Sequence, residues 1–255
     1  MLVQWLVHEE DGTLLAKEKE AIYALCDLGN KLLAGSAGGM LNVIDKTSKS
    51  VLKRIACAAK PVFDIAVAGD SILLACGDGR LLVFDRDFSL KEEHKLSAHS
   101  LRKVLVIDKG RIAVAGSESH IWIMDDRYRV TEILQDHQLS VFALAFRYGD
   151  QRLISGGRDA RLRVHHGAIL EQAIAAHLLH IHALAFNPPQ TYLLSSSMDK
   201  TIKLWDGQSL ELLKVIDQKY HGHTSSVNKV IWLDNNTFVS CSDDRRIMAW
   251  RIDSD

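Results

Sequence analysis

Short apolar runs of four to eight residues, broken by turn-forming or charged positions, follow one another along the whole chain. They are rich in Val, Ile, Leu, Ala and aromatics. Gly29-Asn30, Gly69-Asp70, Lys109-Gly110, Asp150 and Asn235-Asn236 punctuate them. Run length and punctuation of this kind predict β-strands. No stretch carries an apolar stripe at helical spacing over the length of a helix.

The runs come in fours, and the fours repeat. The clearest copy, SSSMDKTIKLWD (Ser195 to Asp206), returns as SCSDDRRIMAWR (Ser240 to Arg251) and SGGRDARLRVHH (Ser155 to His166). LACGDGRLLVFD (Leu74 to Asp85), VAGSESHIWIMD (Val114 to Asp125) and AGSAGGMLNVID (Ala34 to Asp45) fall in the same register. A second column holds Tyr23, Phe63, Arg102, Phe142, His182 and Asn228, at spacings of 40, 39, 40, 40 and 46. Each follows an aliphatic residue and precedes another by two. Four antiparallel strands cannot bury both sheet faces alone, whereas radial stacking of the sheets does. The expectation is an all-β propeller of about six four-stranded blades, forming a single domain over 1–255. The repeats lie at approximately 1–19 (partial), 20–59, 60–98, 99–136, 137–176, 177–222 and 223–255 (partial). The alternative is a seven-bladed propeller lacking its first ~40 residues, one repeat of this type.

Trp205-Asp206 and Trp250 close two repeats, and Asp45, Asp85 and Asp125 hold the same acidic place in three more. Gly222-His223 opens the last repeat, with Ala176-His177, Asp136-His137 and Ala98-His99 as worn versions. On these residues the chain resembles the Trp-Asp (WD) repeat propellers across essentially its whole length. The resemblance implies a hydrogen-bonded tetrad of buried His, strand Ser or Thr, turn Asp and Trp. Two repeats match it in full, as His177, Ser195, Asp199, Trp205 and as His223, Ser240, Asp244, Trp250. A third keeps His137, Ser155 and Asp159, with His165 in the Trp column. Elsewhere Phe84, Met124 and Ile44 fill that column, and Gly38 and Glu118 the Asp column, so apolar packing is expected to replace the tetrad. The family also implies closure by strand exchange. Thr13 to Lys17 would complete the last sheet, with Leu2 to Val7 as an outer fifth strand carrying Trp5 in a Trp column.

A Ser-His-Asp set invites a hydrolase reading, but Ser195 and Ser240 sit inside apolar strands with no GxSxG elbow, and the set recurs from repeat to repeat. A structural role is expected, and no catalysis. A net charge of −1 gives no general attraction to nucleic acid or anionic membrane. Cys26, Cys57, Cys76 and Cys241 form no CxxC pair and read as free thiols. No apolar run reaches membrane-spanning length, and the opening MLVQWLVHEEDG has neither basic leader nor cleavage site, so a cytoplasmic protein is expected. His180 and His182, two apart on a strand, share a face and would need a third ligand to hold zinc or copper; no metal or cofactor is expected.

In WD-repeat proteins the top face of the propeller commonly binds peptides or proteins. The resemblance maps its contact positions onto the column Tyr23, Phe63, Arg102, Phe142, His182 and Asn228, and onto Ala37, Gly77, Ser117, Arg158, Met198 and Asp243. Pro61, Ser140, His180 and Ser226, two residues before the first column, complete the rim. The expected function is a non-catalytic interaction platform or scaffold for a protein or peptide partner, with no small-molecule substrate. The rivals are a propeller hydrolase or lyase with its site at the channel mouth, where only Asp243 and Asp64 offer carboxylates, and a structural assembly subunit.

Overall fold

A computed structural model describes residues 2–4, 12–17, 19–108 and 110–252. The chain divides into two compact units, Met1–Glu118 with Trp122–Thr131, and Ser119–Ile121 with Glu132–Asp255.

The first unit opens with β1 (Leu2–Gln4) and β2 (Thr13–Ala16), antiparallel to each other. Sheet 1 follows, built from β3 (Ile22–Leu28), β4 (Lys31–Ser36), β5 (Met40–Asp45) and β6 (Ser50–Ala56). Sheet 2 is β7 (Val62–Ala68), β8 (Ser71–Cys76), β9 (Arg80–Phe84) and β10 (Leu90–Lys95). Sheet 3 is β11 (Leu101–Val106), β12 (Ile112–Gly116), β13 (Ile121–Met124) and β14 (Val130–Leu134), and the boundary between units passes through its outer strands. The second unit holds sheet 4, made of β15 (Val141–Arg147), β16 (Arg152–Gly157), β17 (Arg161–His166) and β18 (Ile169–Ala175). Sheet 5 is β19 (Ile181–Phe186), β20 (Tyr192–Ser197), β21 (Ile202–Asp206) and β22 (Leu212–Ile216). Sheet 6 is β23 (Val227–Trp232), β24 (Thr237–Ser242) and β25 (Ile247–Arg251). A 3-10 turn, Gln218–Tyr220, takes up the long spacing before sheet 6.

Burial follows strand position. Second strands are apolar on both faces, as in Ile72 to Cys76, every one fully buried. Fourth strands are wet, and β10 reads Leu-Lys-Glu-Glu-His-Lys. In the first unit, Leu33, Leu41 and Val43 of sheet 1 pack against Val62, Ile65, Leu74 and Phe84 of sheet 2. Leu73, Leu81 and Val83 then meet Val104, Val114 and Met124 of sheet 3. The second unit repeats the scheme, with Ile154, Leu162 and Val164 against Ile181, Leu193 and Trp205. Sheets approach closely at Gly35 and Gly156, where a Cβ would stand 2.7 Å from Val62 and 2.9 Å from Ile181. No helix among the described residues is long and apolar enough to cross a membrane.

The outer-strand pairing expected at the start of the chain is present. β2 pairs with β1 in the register Leu2↔Ala16, Val3↔Leu14, Gln4↔Thr13, and sheet 6 has three strands among the described residues. Leu15 and Ala16 pack on Ala34 and Ile44 of sheet 1, an apolar face that needs cover. Trp5, the residue assigned to a Trp column, lies outside the described residues.

Candidate functional site

The tetrad residues of sheets 5 and 6 are joined by hydrogen bonds. His177 Nδ1 lies 2.9 Å from Asp199 Oδ2 and Nε2 2.7 Å from Ser195 Oγ, which also accepts Trp205 Nε1–H at 2.8 Å. His223, Asp244, Ser240 and Trp250 repeat this at 2.9, 2.7 and 2.8 Å. The indole can only donate, so the serine hydroxyl spends its own proton on Nε2 and the imidazole keeps its proton on Nδ1 for the carboxylate. Asp199 also accepts Leu178 N–H and the Thr201 hydroxyl. Burial by itself would raise the Asp199 carboxyl, but the bonds from His177 and Thr201 hold it well below the usual carboxylate range. Burial pushes His177 below its ordinary value, with Asp199 opposing. Ser195 is fully buried and committed on both sides, so it is not presented to a substrate.

Sheet 4 departs from this pattern. His137 Nε2 meets Ser155 Oγ at 2.8 Å, and Arg163 Nη1 lies 2.5 Å from Asp159 and 2.7 Å from His137 Nδ1. His137 Nδ1 also lies 3.1 Å from Asp159 Oδ2, so carboxylate and guanidinium crowd the same ring nitrogen, and no indole reaches Ser155. His165, in the Trp column, turns instead to Asp136 at 2.9 Å, and its buried Nδ1 has no partner. In sheets 1 to 3 the serine and Trp columns are Ala34 with Ile44, Leu74 with Phe84, and Val114 with Met124, all buried. His99 is exposed, and the buried place beside sheet 3 goes to Ser97. Asp64 is also corrected: it is buried against β11, bonded to Lys103 Nζ at 2.8 Å and Val104 N–H at 3.0 Å.

The two surface columns have one geometry in all six sheets. Tyr23, Phe63, Arg102, Phe142, His182 and Asn228 each fall at the register shift of the first strand. A bulge of this kind leaves one residue out of the ladder and re-aims its side chain. The amides of Ala37, Gly77, Ser117, Arg158, Met198 and Asp243 donate to the carbonyls of Ala21, Pro61, Ser100, Ser140, His180 and Ser226 at 2.7 to 3.0 Å. That bond sets each member of the second column beside its bulge.

Each unit gathers its own group. In the first, the Tyr23 and Phe63 rings stack at 5.4 Å, and the Arg102 guanidinium lies 4.1 Å from the Phe63 centroid with Nε on Ser117 Oγ. In the second, Phe142 stands 6.1 Å from His180 and 6.2 Å from His182, and the two imidazoles are 6.4 Å apart. Exposed Met198 and Arg158 flank them. Burial, then the charge of Arg158, lowers the His180 imidazole; burial lowers His182, which Asn228 and Asp243 oppose. Asn228 Nδ2 donates to Asp243 Oδ1 at 2.6 Å, so this pair forms its own contact beside the rings. Among the described residues no three His, Cys, Asp or Glu gather as metal ligands.

Arg147 was not singled out in the sequence. It is 6% exposed and donates to Gly207 and Gln208 carbonyls at 2.7 Å and to Asp150, tying β15 to the turn after β21. Its only sequence signal is a cation ending an apolar strand, FALAFR.

The WD40 family model (WD domain, G-beta repeat) matches residues 128–166, 170–206 and 214–251. The chain is 31% identical over 170 residues to Elongator complex protein 2 of Arabidopsis thaliana, covering 59% of this chain and 20% of that protein. It is 35% identical over 114 residues to human DDB1- and CUL4-associated factor 5 (41% and 12%), and 34% identical over 86 residues to human F-box-like/WD repeat-containing protein TBL1X (34% and 14%). The matches thus span between 12% and 20% of the length of these curated relatives. The fold is similar to that of a computationally designed protein, Ika8, with a TM-score of 0.75 over 92% of this chain and 72% of that one at 23% identity. Repeat register, the two hydrogen-bonded tetrads and the three matched segments show that this chain carries WD repeats in an all-β propeller fold.

Proposed function

We propose that the chain is a non-catalytic platform that holds a protein or peptide on the bulge surface of its second unit. The carrying observation is the cluster of Phe142, His180 and His182 rings beside exposed Arg158 and Met198. Phe and Met offer apolar area, and the Arg158 fork suits a carboxylate or a backbone oxygen. The partner fitting this chemistry is an extended or loop peptide bearing an acidic residue. The printed names of two relatives, a complex protein and an associated factor, are in keeping with a role in assemblies. The reading places the protein in the cytoplasm, where unpaired thiols persist. Affinity capture from native lysate with mass spectrometry identifies the partner. Phe142→Ala with Arg158→Glu should abolish that capture while leaving thermal stability nearly unchanged. Undiminished capture moves the surface elsewhere, and a comparable loss of folding returns Phe142 to the core.

A further inference from the structure

The turn between second and third strands carries the tetrad aspartate. In sheets 4 to 6 that turn, with the residue after it, also exposes long cations: Arg158 and Arg161, then Lys200, then Arg245 and Arg246. Among the described residues Arg158, Arg161, Lys200 and Arg245 form no ion pair, and Arg246 stands 4.0 Å from Asp244 Oδ2. The same turns of sheets 1 to 3 expose no lysine or arginine. Arg80 of sheet 2 is half-buried and paired with Asp78 and Glu93.

The carboxylates beside these cations are less accessible. Asp159, Asp199 and Asp244 are held by their histidines, with side chains 4 to 7% exposed, and Asp159 also pairs with buried Arg163. Next to the tetrad histidines and in the turns, the exposed carboxylates are Asp136, turned to His165, and Asp243, held by Asn228 Nδ2. Five surface cations thus face two surface carboxylates. Asp217 and Lys219 in the expanded loop before His223 offset each other. Aliphatic groups share this surface. Leu178 is 89% exposed, its N–H held by Asp199 Oδ2 at 3.0 Å, and Leu139, Leu179 and Met198 are exposed with it. Backbone bonds seat Arg158 against Ser140 and Met198 against His180, so cations and aliphatic groups flank the half-buried Phe142, His180 and His182.

We propose that the segment held by the second unit is acidic, with aliphatic residues set among its carboxylates, and that Arg158, Arg161, Lys200, Arg245 and Arg246 select it. This partner chemistry rests on the second unit being the interaction platform. Guanidinium forks take carboxylates through paired hydrogen bonds, and surface cations without ion pairs speed the encounter with an acidic chain. Exposed leucine and methionine give a nucleic-acid base no ring to stack on, so a single strand would be held by phosphate attraction alone. A bilayer presents no side chain to reach the half-buried Phe142 and imidazole rings, whereas a peptide does.

Fluorescence anisotropy of the full chain with a labelled peptide of four Asp-Leu-Ser repeats tests this. One saturable site is expected, weakening as KCl is raised. Exchanging every Asp of the peptide for Asn, or every Leu for Ser, should weaken binding by about tenfold or more. Arg161→Glu with Lys200→Glu should do the same at unchanged Tm, since both side chains are exposed and outside the tetrads. Leu178→Ser should close most of the gap between the leucine-bearing and serine-bearing peptides. Absence of saturable binding, equal binding of the Asn peptide, or unchanged binding by the Arg161→Glu, Lys200→Glu variant overturns the proposal. Tighter binding of oligothymidylate or of phosphatidylserine vesicles, measured alongside, also overturns it. Capture from lysate separates this from the platform reading. If Phe142→Ala with Arg158→Glu abolishes capture and Arg161→Glu with Lys200→Glu does not, the platform stands and its partner is not acidic. If neither pair affects capture, the platform lies elsewhere and the proposal falls with it.

Discussion

Asp199 accepts three kinds of donor at once, an imidazole, a hydroxyl and backbone amides, in a place closed to water. Asp199→Ala leaves these donors unpaired and should cost about 3 kcal/mol in chemical denaturation, at roughly 1–3 kcal/mol per orphaned group. Glu118→Ala should cost less, because Val114 and Met124 in its sheet pack without a polar tetrad. Equal losses would mean the tetrad does not hold sheet 5. The same groups make the fold acid-labile. His177 stays neutral in the fold while its unfolded counterpart takes a proton, so stability declines as pH drops below about 6.5. The Asp199 contribution is complete above about pH 3.9 and is lost as pH falls toward its depressed folded value. His165 is the weak member of the series, with a buried ring nitrogen that bonds to nothing. His165→Trp would supply the missing indole donor to Ser155 and should raise stability by about 1 kcal/mol, the typical worth of one hydrogen bond. A lowered denaturation midpoint would show that the site is sized for an imidazole.

Strands were legible because short apolar runs are broken by turn residues, and in sheet 2 composition alone separates the buried Ile72–Cys76 from the charged Leu90–Lys95. The bulges were not. A register shift depends on how two strands pair, and single-chain patterning marks it only as the column from Tyr23 to Asn228. The pairing of β2 with β1 was legible, because two short apolar runs flank a polar turn at the start of the chain. Asp64 and Arg147 escaped because a charge on a strand reads as solvated unless its partner, distant in sequence, is known. Arg147, at the end of β15, holds the turn after β21 through the Gly207 and Gln208 carbonyls. Arg147→Ala leaves the Gly207 and Gln208 carbonyls without their donor while Asp150 keeps Arg152, and should cost about 1–3 kcal/mol. Arg147→Lys should recover only part of that, since a point charge cannot replace a planar fork. Full stability of the alanine variant in urea would mean sheets 4 and 5 are held by their apolar contacts alone.

For the molecule as a whole, WD repeats supply a scaffold whose core work is done by side chains that never reach the surface, leaving the bulge residues free to differ from sheet to sheet. The aromatic, imidazole and guanidinium groups of the second unit are such a set. Because burial lowers His180 and His182, a partner carboxylate should gain affinity only below the ordinary imidazole value of about 6.5, where they take up protons. Where the partner sits is the central question, and site-specific photo-crosslinking answers it most directly. A benzophenone side chain placed at Met198, 43% exposed beside the rings, should trap the captured partner in lysate. The same group at Ile169, 69% exposed on the outer strand β18, should trap little or none. Cross-linking from position 169 with none from position 198 would contradict the account and move binding to the flank of sheet 4.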